Sequence, residues 1–382
     1  MIARELATVI SSRLRSFPAV AILGPRQAGK TTLAKTLSTD YYDLETEADR
    51  LKADLRWDSI AASDRLVVFD EAQSYPDVFP RIRSAIDKRR EKKGRFLLLG
   101  SVSPGLMKEV SESLAGRIAL CELAPFSIME IGKTKDDQLW LKGGYPDGGI
   151  LHAKNYPVWQ SNYLDLLSMR DLPIWGLPAE PPATRRFFSM LAVGHGNPWN
   201  ASQMGKSLGV SYHTATSYLN YLEQAYLVRR VHPYHDNLKK RLTKSPKVYW
   251  RDSGLLHSLL RISSFDDLIS HPHVGASWEG WVIEQILTFL NNRSIQYDGP
   301  YYLRTNDGYE IDLIITFSGT TYAMEIKLTS SPSPSDMQRL NKTAALIGTP
   351  TRVLISKSTD HIQSDNQLST NLRMFLEYLK EK

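Results

Sequence analysis

The sequence predicts an α/β protein in three parts: a parallel sheet with its helices, then a helical middle segment, then a second α/β region. Three observations predict this order. A glycine-rich loop follows a short apolar run near the N-terminus, helical patterns dominate the middle of the chain, and an acidic hairpin pattern lies near the C-terminus. The predicted boundaries are residues 1–131, 132–263 and 264–382.

The composition is that of a modular, globular chain. Its 382 residues suggest roughly two to three domains of about 100–200 residues each. The apolar runs are shorter than the roughly 18 residues that a membrane-spanning helix needs, and charged residues interrupt the first 15 positions, so a secretory signal is not expected. The single Cys121 excludes an intramolecular disulfide, and we predict a cytoplasmic protein without a membrane partner. The net charge of +6 permits a nucleic-acid partner without requiring one.

Residues 24–31 match the phosphate-loop pattern G-x-x-x-x-G-K-[ST] at every fixed position. The apolar run 19–23 before them predicts a buried strand, and a helix is expected from Thr31 to Leu37. Backbone N–H groups of such a loop surround phosphate, Lys30 reaches the β and γ oxygens, and Thr31 is placed to ligate Mg²⁺. A glycine-containing turn before an ordinary helix is the alternative. The predicted ATP-binding residues are Gly24, Pro25, Arg26, Gln27, Ala28, Gly29, Lys30, Thr31 and Thr32.

Two further apolar runs end in polar residues. The run 66–69 leads into Asp70 and Glu71, and the run 95–99 leads into Gly100 and Ser101. Because parallel strands deliver their C-terminal ends to one edge of a sheet, these side chains should lie near the phosphate loop. Asp70 would then hold Mg²⁺ through water, Glu71 would orient or deprotonate the attacking water, and Ser101 would sense the γ-phosphate or that water. The alternative is a solvated strand end.

A strongly basic stretch lies between these last two runs. Residues 81–95 contain eight lysines and arginines. A solvated helix face and a contact with nucleic acid are the two interpretations.

The middle segment predicts a helix-turn-helix followed by a short hairpin. Helical patterns cover 156–170, the region from Thr184, a segment that Asn200 caps and that runs to Leu208, and 212–226. A proline-rich connection at 172–182 separates the first pattern from the others. Two short strands are predicted at 228–231 and 248–250. The basic residues between them would form a wing: Lys239, Lys240, Arg241, Lys244 and Lys247.

The helix predicted at 212–226 presents a polar face that could enter a DNA major groove. The residues on this face are Tyr212, His213, Thr214 and Ser217. Three-helix units of this kind also pack proteins together, so both functions remain open.

The segment from Glu310 to Lys327 predicts a hairpin whose register follows from its turn. A two-residue loop at 318–319 pairs Phe317 with Thr320 and fixes every pair behind it. One face then pairs Ile315 with Tyr322, Leu313 with Met324 and Ile311 with Ile326. The other face pairs Asp312 with Glu325 and Glu310 with Lys327.

Two carboxylates directly opposite each other repel, and a cation between them relieves this repulsion. Asp312, Glu325 and Lys327 reproduce a D…E-x-K signature, in which the oxygens hold Mg²⁺ or Mn²⁺ and the lysine orients water or stabilises phosphate charge. An inactive domain kept for binding or architecture is the alternative. Glu310 is either a second metal ligand or the cross-strand partner of Lys327.

Several motifs together resemble a known family. They are the phosphate loop, "VVFDEAQ" at 67–73, "LLLGSVSP" at 97–104, "SLAGR" at 113–117, "SMRDL" at 168–172, "KVYWRDSGL" at 247–255, "EID" at 310–312 and "EIK" at 325–327. The chain looks like the bacterial and archaeal AAA-type P-loop ATPases with a C-terminal domain of unknown function that is similar to the PD-(D/E)XK nuclease fold. The resemblance implies that Arg117 touches nucleotide, in its own subunit or a neighbour's; a surface ion pair is the alternative. It also implies that Glu279 is an additional metal ligand.

The predicted function is a Mg²⁺-dependent ATPase whose cycle controls a C-terminal nuclease-like, DNA-acting domain. Two alternatives stay open: a nucleotide-switched DNA-binding regulator with an inactive nuclease-like fold, and an ATPase whose C-terminal domain binds a protein. The predicted partners are ATP and DNA, and a protein partner or a homo-oligomer is compatible with the sequence.

Overall fold

A computed structural model describes residues 2–100, 113–234, 245–305, 308–348 and 350–381. Within these ranges the strands form two sheets, one near the N-terminus and a larger one that joins the middle of the chain to its C-terminal part. No helix in the described ranges has the length and apolar character that crossing a membrane requires.

The N-terminal sheet has five parallel strands in the order β2-β3-β4-β1-β5. The strands are β1 (Ala19–Leu23), β2 (Asp40–Asp43), β3 (Val67–Asp70), β4 (Phe96–Leu99) and β5 (Ile118–Glu122). The helices in this part are Leu6–Ser16, Lys30–Leu37, Glu47–Leu55, Trp57–Ala62 and Val78–Lys88. The prediction of three buried parallel strands is confirmed, since every residue of β1, β3 and β4 is buried.

Helices on both faces explain why these strands are continuously apolar. Ala19 and Ala21 of β1 pack into one hydrophobic cluster, whereas Val20 and Ile22 pack into another on the opposite face. Because successive strand residues point to opposite faces, a strand that is covered on both sides needs apolar residues at every position.

Most of the basic residues in the stretch 81–95 form ion pairs or, in the case of one arginine, are buried. Arg90 pairs with Asp87 at 3.0 Å and Lys92 with Asp64 at 3.1 Å, and Asp64 also pairs with Arg89. The guanidinium of Arg95 is buried and donates to main-chain carbonyls, including that of Ala85 at 2.8 Å. These contacts agree with the solvated helix face, and a contact of this stretch with nucleic acid stays a prediction.

The middle segment contains the predicted helices and strands and two further helices, Asp136–Lys142 and Ser253–Leu259, and the helix Pro181–Val193 begins inside the connection predicted at 172–182. Its longer helices are Asp136–Lys142, Val158–Leu166, Pro181–Val193, Ala201–Leu208, Tyr212–Gln224 and Ser253–Leu259, and its strands are β6 (Val228–Pro233) and β7 (Lys247–Trp250). Asn200 caps its helix by accepting from the Gln203 amide at 3.0 Å, and Gly209 ends that helix with φ 74°. The winged-helix assignment itself stays a prediction.

The predicted basic wing is only partly visible. Lys239, Lys240, Arg241 and Lys244 lie outside the described residues. Lys247 is not a wing residue, because it lies in β7 and its side chain is buried.

The second sheet has eight strands in the order β12-β13-β11-β10-β9-β8-β6-β7. The C-terminal strands are β8 (Asp298–Arg304), β9 (Glu310–Phe317), β10 (Thr320–Ile326), β11 (Thr351–Ser356), β12 (Ile362–Ser364) and β13 (Gln367–Asn371). Its helices are Phe265–Ser270, Val274–Asn291, Pro334–Ala344 and Leu372–Lys380. Because β6 pairs in parallel with β8, the hairpin of the middle segment continues the C-terminal sheet. The predicted boundary at 263–264 therefore falls inside a region that one sheet spans.

The predicted register of the β9–β10 hairpin is confirmed from Phe317–Thr320 to Leu313–Met324. Beyond this point a β-bulge interrupts the pattern: β8 advances by two residues, from Tyr301 to Leu303, while β9 advances by three, from Ile314 to Ile311. As a result, Ile311 packs in the cluster of Ile314 and not, as predicted, in that of Leu313.

Candidate functional site

The phosphate loop connects β1 to the helix Lys30–Leu37, as predicted. Gly24 has φ 146°, and a Cβ atom there would lie 2.3 Å from the carbonyl oxygen of Leu123. Gly29 has φ 96°. Only glycine fits the close approach at position 24, and glycine is strongly favoured at position 29. The fixed glycines of the motif thus have a direct steric and conformational reason.

Lys30 lies inside this loop. Its side chain is buried, and Nζ donates to the carbonyl oxygens of Gly24 at 2.9 Å and Pro25 at 2.8 Å. Burial lowers the pKa of Lys30 to about 8, although the nearby carboxylates of Glu71 and Asp70 act in the opposite direction. The loop therefore holds the lysine where an incoming phosphate would replace the two carbonyls as its partner.

Asp70 and Thr31 are in direct contact at the end of β3. The Thr31 hydroxyl donates to Asp70 Oδ2 at 2.6 Å, and the Tyr41 hydroxyl donates to the same oxygen at 2.7 Å. The amide of Glu71 donates to Asp70 Oδ1 at 2.9 Å. A carboxylate and a hydroxyl are hard oxygen donors, the ligand type that Mg²⁺ prefers. The residues present therefore fit the metal that this kind of loop implies.

Tyr41 was not predicted from the sequence. It lies in β2, the neighbour of β3, and its hydroxyl fixes the Asp70 carboxylate. Burial, followed by the hydrogen bond to Asp70, raises the pKa of Tyr41 far above its usual value, so the hydroxyl remains a donor. The strand "DYYD" carries no motif that would reveal this contact.

Glu71 has a left-handed backbone conformation, with φ 47° and ψ 45°. This conformation costs a non-glycine residue roughly 1–2 kcal/mol, and strain of this kind is concentrated at functional sites. Gln73 donates to the Glu71 carboxylate, and Glu71 lines the same cavity as Lys30 and Thr31. The structure thus brings together the predicted pair Asp70 and Glu71 beside the loop.

A cavity of about 1020 Å³ adjoins the phosphate loop. The N-terminal part of the chain contributes Arg26, Gln27, Gly29, Lys30, Thr31, Thr32 and Glu71 to its wall. The middle segment contributes Pro146, Asp147, Leu151, Tyr163, Leu166, Arg170 and Asp171. The middle segment therefore closes one side of the predicted nucleotide site. The sequence did not reveal this contribution.

One ion pair ties the phosphate loop to the middle segment. Arg26 pairs with Asp171, which also pairs with Arg170 at 3.0 Å. The Tyr163 hydroxyl donates to the carbonyl oxygen of Arg26 at 3.2 Å. Arg170 and Asp171 belong to the "SMRDL" segment, which supported the family resemblance without suggesting a role.

Arg4 holds the other side of the loop. Its guanidinium donates to the carbonyl oxygen of Ala28 at 2.8 Å, to that of Ala124 at 2.5 Å and to Glu130 at 2.9 Å. Sequence reasoning missed this residue, because a lone arginine 24 positions before its partner carries no local signal.

Two candidates remain to be placed, Ser101 and Arg117. Ser101 lies outside the described residues. Arg117 precedes β5, whose first residue lies beside Ala19 at the start of β1, whereas the phosphate loop follows the end of β1. Its guanidinium makes two hydrogen bonds of 2.9 Å to Asp87. This is the predicted surface ion pair; a contact with nucleotide in the same subunit does not fit, and one across subunits stays a prediction.

A buried network of charges lies where the three parts of the chain meet. Arg251, directly after β7, pairs with Glu122 at the end of β5 and with Glu284 of the helix Val274–Asn291. Arg229 of β6 donates to Glu284 at 2.7 and 3.1 Å. Burial opposes the charge of Glu284, but the two guanidiniums outweigh it and hold the pKa of this carboxyl below its usual value. None of these contacts was predicted.

The predicted C-terminal site residues lie near one another but are joined by a lysine from another element. Lys327 pairs with Glu325 at 3.1 Å. Asp312 accepts from the Ile326 amide at 2.8 Å, and burial, with Glu279 and Glu325 nearby, raises its pKa well above the usual value. Lys247 of β7 pairs with Glu279. In the part of the chain that the structure describes, no three His, Cys, Asp or Glu side chains are grouped to hold a metal ion.

Three family profiles match consecutive parts of the chain. They are described as an AAA domain (residues 16–132), a domain of unknown function, DUF8612 (133–266), and a domain of unknown function, DUF4143 (274–375). "Uncharacterized protein Rv2008c" of Mycobacterium tuberculosis is 38% identical over 341 residues, which are 88% of this chain and 76% of the relative. "Uncharacterized protein Mb2031c" of Mycobacterium bovis gives the same values.

Among solved structures, the Walker-type ATPase PABY2304 of Pyrococcus abyssi is 15% identical with a TM-score of 0.48, covering 68% of this chain and 96% of that one. AMPPCP-bound DnaA of Aquifex aeolicus is 13% identical with a TM-score of 0.29, covering 58% and 86%. Scores below 0.5 do not establish a common fold, so neither likeness supports an assignment.

Proposed function

We propose, from the premise that this chain belongs to a family of AAA-type ATPases together with its two mycobacterial relatives, that it hydrolyses ATP with Lys30, Thr31, Asp70 and Glu71 as the acting residues. The single observation that carries this proposal is the hydrogen bond of 2.6 Å from Thr31 to Asp70, at a cavity that Lys30, Thr31 and Glu71 line. Sequence pattern and tertiary geometry support the same four residues.

Each residue has a distinct task in the proposed reaction. Lys30 transfers its hydrogen bonds from the loop carbonyls to the phosphate oxygens. Thr31 and Asp70 would hold Mg²⁺, which supplies charge neutralisation when bound. Glu71 accepts a proton from water as the water oxygen bonds to the γ-phosphorus and the bond to the β–γ bridging oxygen breaks. The products are ADP and phosphate.

Phosphate release from ATP tests this proposal. We expect hydrolysis with Mg²⁺ that stops when EDTA removes the metal. Lys30→Ala is expected to weaken ATP binding by about 10–100-fold, because it removes a charge-assisted hydrogen bond. Lys88→Ala is the control, since Lys88 is an exposed residue at the end of the helix Val78–Lys88. Hydrolysis that survives EDTA, or that is equal in Lys30→Ala, would reject the proposal.

The lowered pKa of Lys30 predicts a pH dependence of ATP binding. The ammonium is present below about pH 8 and is lost above it, so binding at higher pH must take up a proton. The terminal phosphate is already ionised in this range and does not contribute. We expect the Kd for ATP to be constant near pH 7 and to rise by up to tenfold per unit above about pH 8. Calorimetry in buffers of different ionisation enthalpy measures the proton uptake, and Lys30→Ala should show none.

The proposal extends to control of the C-terminal half by the ATPase cycle. The Leu123 amide donates to Leu23 at 2.8 Å, and its carbonyl contacts Gly24 at the start of the loop. Glu122, one residue earlier, is bound by Arg251, which also binds Glu284 in the C-terminal half. A shift of the loop on nucleotide binding would thus reach the second sheet through a short series of contacts.

For the C-terminal half we favour a nucleotide-switched DNA-binding role over DNA cleavage. The helix-turn-helix geometry supports the former, with Tyr212 exposed at the start of its last helix. The position of Lys247 among the acidic residues argues against the latter. The second candidate function is a nuclease-like domain that acts on DNA. The third is an ATPase whose C-terminal domain binds a protein.

One assay series separates these functions. Cleavage of DNA with Mg²⁺ or Mn²⁺ that is lost in Asp312→Ala and in Lys327→Ala would establish the nuclease. Intact DNA with salt-sensitive affinity, lost when Lys239, Lys240 and Arg241 are neutralised, would support the regulator. Absence of DNA affinity at low salt would leave the protein-binding ATPase.

A further inference from the structure

The acidic residues of the C-terminal site surround a lysine that comes from a different part of the chain. The carboxylates belong to three elements: Glu279 to the helix Val274–Asn291, Glu310 and Asp312 to β9, and Glu325 to β10. The lysine is Lys247, the first residue of β7, which follows the predicted wing. We call these four carboxylates and Lys247 the acidic cluster.

The contacts of Lys247 are those of an internal counter-ion. Nζ lies 3.0 Å from Glu279 Oε1 and 2.7 Å from Glu310 Oε1, and its side chain is only 4% exposed. Tyr249, two residues along the same strand, donates its hydroxyl to Glu279 Oε1. The Tyr302 ring lies 5.4 Å from the ammonium and covers it from another side. Two of the three ammonium donors therefore have carboxylate partners in a closed environment.

An ammonium in this position competes directly with a divalent ion. Mg²⁺ and Mn²⁺ require several oxygen ligands at about 2.0–2.2 Å, and one oxygen of Glu279 and one of Glu310 are already bound to a positive charge. A second cation among the same oxygens would lie within a few ångströms of the ammonium, in a region that water screens weakly. The acidic cluster thus has the charge that a metal would otherwise supply.

We infer that Lys247 takes the place of the divalent ion in the acidic cluster, so that this cluster binds no Mg²⁺ or Mn²⁺ and instead locks β7 onto the C-terminal sheet. The ion pairs of Lys247 join β7, which follows the predicted wing, to the helix Val274–Asn291 and to the β9–β10 hairpin. The inference is independent of ATP hydrolysis, because it concerns only the second sheet.

Mn²⁺ binding to the full-length protein tests this inference, with free Mn²⁺ measured by electron paramagnetic resonance. Every protein in the series carries Asp70→Asn, so that the nucleotide site does not contribute. We expect that Asp312→Asn leaves Mn²⁺ binding unchanged in the presence of Lys247. Lys247→Met should raise the Mn²⁺ affinity at least about tenfold, because it removes a like charge from the site. This gain should disappear when Asp312→Asn is added.

Lys342→Met is the matched control, since Lys342 is an exposed lysine of the same C-terminal half and should produce no gain. Mn²⁺ binding that depends on Asp312 while Lys247 is present would overturn the inference, and so would a folded Lys247→Met protein without any gain. If Lys247→Met does not fold, the comparison of Asp312→Asn with its parent decides alone. Equal binding supports the lock, and a loss of binding overturns it.

Discussion

Replacing Glu71 by Gln is expected to lower the kcat of ATP hydrolysis by about 10²–10⁴-fold, the usual contribution of a general base. The amide keeps the size and shape of the side chain and its contact with Gln73, but it cannot accept a proton from water. ATP binding should be little changed, because Lys30 and the loop amides remain in place. The measurement is a single-turnover assay, combined with the Kd for ATP.

The matched control is Glu91→Gln, a glutamate of the same domain that lies in an exposed turn after the helix Val78–Lys88. It should hydrolyse ATP at the parental rate. A Glu71→Gln protein that turns over ATP within a few-fold of the parent would exclude Glu71 as the base and would leave water activation to another residue.

Replacing Arg251 by Met should destabilise the protein by about 3–5 kcal/mol, the effect typical of removing one partner from a buried ion pair. Glu122 would lose its arginine, and Glu284 would keep only Arg229. Methionine keeps an unbranched apolar stem in place of the aliphatic part of arginine, so the loss reflects charge and hydrogen bonding more than packing of the stem. Urea denaturation, followed by fluorescence and by circular dichroism, measures the change in the free energy of unfolding.

Two comparisons sharpen this experiment. Arg90→Met removes a surface ion pair with Asp87 and should change stability by less than about 1 kcal/mol. Adding Glu122→Gln to Arg251→Met should recover part of the loss, since it removes the unpaired carboxylate. Arg251→Met with parental stability would contradict the role of this network, and with it the proposed connection between the nucleotide site and the C-terminal half.

The features that the sequence predicted correctly are those whose causes are local. The phosphate loop requires glycine where Gly24 approaches Leu123, and the acidic pair Asp70 and Glu71 ends a continuously apolar strand. The caps at Asn200 and Gly209 are set by side chains and dihedral angles within a few residues. The hairpin register followed from a two-residue turn.

Predictions failed where distant segments meet. The predicted register of the hairpin fails at the bulge in β9, because that bulge depends on the pairing of β9 with β8. Lys247 counted as a wing residue because its neighbours in the sequence are basic, and its carboxylate partners lie at least 32 positions away. Arg4 and Tyr41 lie in no motif, and the motif that contains Asp171 suggested no role for it, although all three contact the predicted nucleotide site or its loop.

Spacing and periodicity along the chain predicted the phosphate loop, its acidic partners, three strands of the first sheet and the β9–β10 hairpin, since these depend on neighbouring residues. Which charges meet depends on the packing of distant segments. This packing places Arg26 against Asp171, Arg251 between Glu122 and Glu284, and Lys247 among the C-terminal carboxylates. The physical reason is that an ion pair depends on distance and burial in three dimensions, and neither quantity can be read from the order of residues along the chain.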